Sequence, residues 1–188
     1  MREFLAIPLP DSLRREAASL ETALALPRES WRFVREEGLH VTLRFLGDVD
    51  PARHDRLDRL WRGAAEGTGP LKLRLDGAAV APSPRLPRIL WLTVHDETSD
   101  DALLRLAGRI ERAARAEGFP PEDRPFAGHV TLARARRGAR VLAPDVSAVG
   151  AIGRCVATRL ILYRSRLESG GATYEELASY PLDGGGPT

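Results

Sequence analysis

Two stretches of this chain hold residues that could do chemistry together. His40-Val41-Thr42-Leu43 recurs letter for letter as His129-Val130-Thr131-Leu132, in a chain with only four histidines. Val, Thr and Leu favour strands, and polar and apolar residues alternate with period two, so each phrase predicts a strand. Side chains i and i+2 of a strand share a face. His40 and Thr42 therefore point one way and Val41 and Leu43 the other, as do their counterparts in the second copy. The apolar faces require a core. The polar faces are left to line an opening.

Imidazole titrates at about 6.5, so near neutral pH one histidine can be a free base while its twin is protonated. In-line displacement at phosphorus needs a base on the attacking side and an acid on the leaving side. Two histidines on opposite walls of a cleft meet that need. A threonine two positions on stands one pleat away, roughly 6.5–7 Å along the strand. Its hydroxyl can donate to a phosphate oxygen where charge builds up. A single copy would read as a satisfied polar residue at a sheet edge; repetition of both His and Thr at one spacing turns the balance toward catalysis. Arg44 follows the alternation and is expected on the face of His40 and Thr42. Arg134 does not: strict alternation puts Ala133 there, and Arg134 would need a twist or bulge to reach the cleft.

Other chemistries fare worse. A catalytic zinc normally takes three protein ligands, and two histidines are too few. His54 sits among Arg53, Asp55 and Arg56 on a predicted helix and reads as a solvated surface residue, and His95 as a turn residue. No His-Glu-x-x-His or paired-cysteine spacing occurs. Ser165 and Cys155 have no sequence neighbour that would activate them.

The elements that must position the two phrases follow from periodicity and punctuation. Phe4 to Ile7 predicts a buried strand ended by Pro8 and Pro10. Leu13, Ala17, Leu20 and Leu24 recur at helical spacing, with Asp11 as cap and Pro27 as stop. Asp50-Pro51 opens a second helix with Leu57, Leu60, Trp61 and Ala64 inward. Leu71 to Leu75 alternates as a strand. Pro82, Pro84 and Pro87 predict a stiff exposed loop, and Ile89 to Val94 a strand. A third helix buries Leu103, Ala107, Ile110 and Ala114. The stretch 141–150 is ambiguous. Val156 to Leu162 predicts a strand, Ser169-Gly170-Gly171 a hairpin turn and Tyr174 to Tyr180 its return. This order favours an α+β fold that is bilobal: two pseudo-symmetric antiparallel sheets face a central cleft, with helices packed outside. Residues 1–183 are expected to form one such domain and 184–188 a flexible tail.

Composition narrows the setting. At 188 residues the chain can bury a sizeable core. One cysteine excludes an internal disulfide framework and fits a reducing compartment. No signal peptide or membrane-length apolar run is read, so the expected location is cytoplasmic, with no membrane partner. Lys72 is the only lysine, so nearly all positive charge is arginine, whose planar fork suits phosphate. A net charge of +2 is too balanced for broad nucleic-acid coating.

At these residues the sequence resembles the two-histidine phosphoesterases, and more closely the RNA 2′,3′-cyclic phosphodiesterases, also called 2′-5′ RNA ligases. Leu39 to Val49 is similar to their first-motif block and His129 to Arg134 to their second. Leu162 to Leu167, with Gly170 to Tyr174, is similar to their C-terminal hairpin, and Phe4 to Pro10 fits as well. The resemblance implies a metal-independent enzyme without cofactor that opens RNA 2′,3′-cyclic phosphate ends to 2′-phosphates. It implies His40 as the proton donor to the departing 3′ oxygen and His129 as the base for water. It puts Thr42, Thr131 and Arg134 on the phosphate, while Phe126 could stack on a base or anchor its loop. The partner is RNA with a cyclic-phosphate end or a related nucleotide, and the protein is expected to act as a monomer. One departure stands out: Gly128 occupies a position where the family often has proline. A non-catalytic RNA- or nucleotide-binding module and an enzyme for small cyclic nucleotides remain as alternatives.

Overall fold

The computed structural model describes residues 2–168 and 171–184. In chain order these form β1 (Arg2–Pro8), α1 (Asp11–Leu24), β2 (Trp31–Phe33), β3 (His40–Asp48), α2 (His54–Ala65), β4 (Leu71–Ser83) and β5 (Leu86–Asp96). They continue with α3 (Ala102–Ala116), β6 (His129–Ala135), β7 (Ala151–Ala157), β8 (Arg159–Glu168) and β9 (Gly171–Pro181). The strands make one curled antiparallel sheet in the order β7-β4-β5-β6-β3-β1-β8-β9, with β2 beside β6.

The α+β class with an opposed pair of half-sheets is what the alternating elements dictate, but the halves are fused. β3 and β6 meet in a single registered pair, Val41 with Val130. On one side of that junction β6, β5, β4 and β7 pair in turn; on the other β3, β1, β8 and β9 do. Apart from β2, one half is contiguous in sequence and the other is not. The two ends of the chain build one and its middle builds the other.

The helices bury the stripes their spacing prescribes to different extents, with Leu20, Leu24 and Leu60 only half-buried. Leu103, Ala107, Ile110 and Ala114 of α3 are buried, joined by Leu106. Leu57, Trp61 and Ala64 line the inner face of α2. In α1 only Leu13 and Ala17 are fully buried. The α3 helix packs on β3, α2 on α3 and β9, and α1 on β6 and β7. Among the described residues no helix is long and apolar enough to cross a membrane.

Three expectations change. The proline-rich stretch is no loop: Pro82 and Pro87 are partners in the β4–β5 hairpin, whose turn is Pro84-Arg85. The strand expected over 156–162 is two strands. β7 ends at Ala157 on the edge of β4, and β8 begins at Arg159 beside β1, so Thr158 is where the chain passes from one half to the other. Gly184 is tied down, its N–H donating to Thr68 O at 3.0 Å. The expected turn residues Ser169 and Gly170, and the tail over 185–188, lie outside the described residues.

Candidate active site

The site is built around the Val41–Val130 pair. A directly opposed antiparallel pair has a local two-fold axis normal to the sheet. Counting from Val41–Val130, His40 lies across from Thr131 and Thr42 across from His129. The repeated phrase is therefore mapped onto itself, and the four polar side chains cluster on one face. Val41 and Val130 are fully buried on the other.

Beyond the phrase both strands bulge at the same place. Thr42 pairs with Ala6 but Arg44 with Leu5, leaving Leu43 unopposed. Thr131 pairs with Trp91 but Ala133 with Leu90, leaving Leu132 unopposed. An extra residue resets the alternation. This overturns the expectation for Arg44. Its side chain turns to the helix side, where it is only 4% exposed. It pairs with Glu111 of α3 at 2.8 Å and Glu122 at 2.5 Å and donates to Pro120 O. The same reset brings Arg134 to the histidine face, as a bulge would be needed to do. Its charge is felt at both His40 and His129. Under the two-fold, Arg44 corresponds to buried Ala133, and Arg134 to Phe45, a large apolar side chain left 53% exposed. The scaffold is symmetric here and the chemistry is not.

Each histidine is oriented by backbone two residues upstream. His129 Nδ1–H donates to Ala127 O at 2.8 Å, which leaves Nε2 as a lone-pair acceptor. His40 bonds the Gly38 backbone, and its Nε2 lies 3.1 Å from Thr42 Oγ1. Burial pushes the His40 imidazole down to about 4; the Gly38 bond opposes this, while the charges of Arg134 and His129 add to it. Burial also lowers His129, opposed by the Ala127 bond and aided by Arg134. In the free protein both rings are thus neutral at neutral pH, and a ready-made protonated twin is not present. An anion bound between them would favour their charged forms.

An aromatic wall packs behind His40. Phe4 stacks on its ring at 4.8 Å, Tyr174 meets it edge-on at 5.2 Å and Tyr163 lies at 6.0 Å. Burial raises the Tyr163 phenol to about 12 and also raises Tyr174, so both stay neutral. Trp91 packs against His129 with centroids 4.6 Å apart. Sequence reasoning missed all four. Their only signal was an aromatic residue within each of four strands, whose register with the histidines is not written locally.

Phe126 is half-buried against the core, in the loop that enters β6. The departure at Gly128 has a steric reason. Its carbonyl accepts from Val94 N–H, and a Cβ there would come within 3.1 Å of Val94 O. His54 is not merely solvated: its Nε2 lies 3.0 Å from Oε1 of Glu3, a carboxylate only 1% exposed that Arg164 also approaches at 3.4 Å. His95 is exposed. Among the described residues no three His, Cys, Asp or Glu side chains gather as metal ligands.

The family model described as LigT-like phosphoesterase matches residues 7–91 and 94–174 of this chain. A Methanothermobacter thermautotrophicus protein named RNA 2′,3′-cyclic phosphodiesterase is 30% identical over 188 residues, covering 97% of this chain and 99% of its own. One of the same name from Geobacillus stearothermophilus is 32% identical over 185 residues, 96% of this chain; the match spans 57% of that relative's length. Among solved structures, TT0787 of Thermus thermophilus superposes with a TM-score of 0.81 at 27% identity, covering 97% of this chain and 98% of that one. Escherichia coli LigT complexed with 3′-AMP gives 0.76 at 27% identity, covering 96% and 97%.

Proposed function

The chain belongs to the LigT-like phosphoesterases, and from that premise we propose that it hydrolyses RNA 2′,3′-cyclic phosphate ends to 2′-phosphomonoesters by a metal-independent, paired-histidine route. Relatives at 30–32% identity that carry the name RNA 2′,3′-cyclic phosphodiesterase support the reaction. The observation that carries the mechanism is the two-fold His-Thr cluster about Val41–Val130, with His129 Nε2 left free as an acceptor.

His129 Nε2 takes a proton from water as the water oxygen attacks phosphorus. The P–O3′ bond breaks, and the ring nitrogen of protonated His40 gives its proton to O3′. The enzyme is reset by proton exchange with solvent. Thr42, Thr131 and Arg134 bind the phosphate oxygens, where charge accumulates in the transition state. His40 acquires its proton with the substrate: the bound anion offsets the burial and Arg134 charge that hold it neutral in the free protein. With an RNA 5′-hydroxyl in place of water, the same steps would join two ends through a 2′-5′ linkage. Since both halves supply the site, residues 1–183 act as one bilobal domain. The half-buried free thiol of Cys155 fits a reducing, cytoplasmic setting.

The test is an RNA oligonucleotide ending in 2′,3′-cyclic phosphate, incubated with and without EDTA. The expected product is the 2′-phosphate, formed at the same rate with chelator. Substituting either histidine by alanine should lower kcat/KM by about 10²–10⁴, the usual worth of a general acid or base. Loss of activity in EDTA would overturn the metal-free route. Binding without turnover would assign the fold to a nucleotide-binding module instead.

A further inference from the structure

Beside the histidines the sheet holds two like charges face to face. β2 pairs with β6 so that Arg32 lies directly opposite Arg134. Such partners share a face with Cβ atoms about 4.5–5.5 Å apart, and like charges so placed destabilise a sheet. Arg74 and Arg154 face each other in the same way across β4 and β7, but there Glu97 lies between them and pairs with both. Among the described residues, neither Arg32 nor Arg134 has an ion-pair partner.

The two guanidinium-bearing residues, with Arg35 and Tyr174, line a recess of about 90 Å³. Pockets for whole drug-sized ligands start at roughly 300 Å³, so this one suits a single small anion and not a nucleoside. Its position is specific. Phe33 and Arg32 continue along the edge of β6 that Val41 occupies, and Tyr174 is the ring set edge-on to His40. The recess therefore adjoins His40, the leaving-group side of the reaction proposed above. There the departing 3′ oxygen belongs to a ribose whose next charged group is the phosphate on its 5′ oxygen.

We propose that Arg32 binds the phosphate upstream of the terminal nucleotide while Arg134, opposite it, stays on the reacting phosphate, so that the enzyme recognises an RNA chain rather than its last nucleotide alone. This rests on the cyclic-phosphate reading and deepens it. Arginine offers the planar fork that phosphate takes, and the bound anion relieves a repulsion that the sheet otherwise sustains.

The experiment compares two mononucleotide substrates, a nucleoside 2′,3′-cyclic phosphate bearing either a 5′-phosphate or a 5′-hydroxyl. The 5′-phosphate should lower KM about tenfold, which is what a charge-assisted hydrogen bond is worth. Arg32→Gln should erase that preference, and Arg32→Lys should keep part of it. Equal KM values in the unaltered enzyme, or a preference that survives Arg32→Gln, would overturn the subsite. If neither substrate turns over, the cyclic-phosphate reading fails and calorimetric titration decides the subsite. A nucleoside 5′-monophosphate should then bind about tenfold tighter than the bare nucleoside, through Arg32, and equal affinities would refute it. Because removing one of two like charges does not destabilise the fold, Arg32→Gln should melt no lower than the parent protein.

Discussion

A half-buried imidazole beside a guanidinium resists protonation, and both histidines of this site are so placed. His40 is held down to about 4 and His129 is lowered as well, in each case by burial first. The pH profile of kcat/KM reports the free enzyme and that of kcat the complex. The kcat/KM profile should therefore be bell-shaped with both limbs below about 6.5, the ordinary histidine value. The kcat profile should lie at higher pH, because the bound phosphate stabilises both imidazolium ions. Coincident profiles would mean that the substrate anion does not reach the rings. Stability must respond too. The folded value of His40 lies below its unfolded value, so between about 6.5 and about 4 the unfolded chain binds the extra proton. Stability is then intact above that window and is lost as pH falls through it, by an amount on the order of 3 kcal/mol. Urea denaturation at pH 7 and pH 4.5 should show a smaller acid loss in His40→Gln than in the parent. An unchanged loss would place the proton elsewhere.

At the scale of the element, strand alternation carries information only as far as the first bulge. His40, Thr42, His129 and Thr131 precede the unopposed leucines, so their shared face was legible from spacing. Arg44 and Arg134 follow them, and each ended on the face opposite to the one alternation assigns. Nothing marks Leu43 or Leu132 as extra residues: neither is glycine, and a bulge is defined by the partner strand. The helices were easier, since Leu103, Ala107, Ile110 and Ala114 declare their own face at 3.6 residues per turn. The aromatic wall was invisible because Phe4, Tyr163 and Tyr174 come from three strands whose register is a tertiary fact. The corrected place of Arg44 can be measured. Removing its charge leaves Glu111 and Glu122 without their partner, and breaking a buried pair costs about 3–5 kcal/mol. Both carboxylates keep some contact with water, so Arg44→Ala should lose about 3 kcal/mol, at the low end of that range. Its KM for cyclic-phosphate RNA should not change. A raised KM at undiminished stability would return Arg44 to the cleft.

For the whole molecule, the decisive feature is how little backbone joins the two halves that share the site. β1 and β8, or β4 and β5, pair over many residues, whereas β3 and β6 pair at Val41–Val130 alone. His40 and Thr42 flank that pair in one half, and His129 and Thr131 in the other. The distance between acid and base is therefore set by the packing of two valines, backed by α3, which leaves β5 of one half and packs on β3 of the other. A cavity at this junction should move the histidines relative to each other, while a cavity inside one half should not. Val130→Ala is expected to cost about 2 kcal/mol and Leu160→Ala, a fully buried position within β8, about 3 kcal/mol. Activity should rank them the other way. A misplacement near 1 Å between reacting groups can cost about 10² in rate. Val130→Ala should therefore lower kcat by one to two orders of magnitude, and Leu160→Ala should leave it within about twofold. Equal losses of kcat would show that stability at large, and not the junction, holds the two histidines in register.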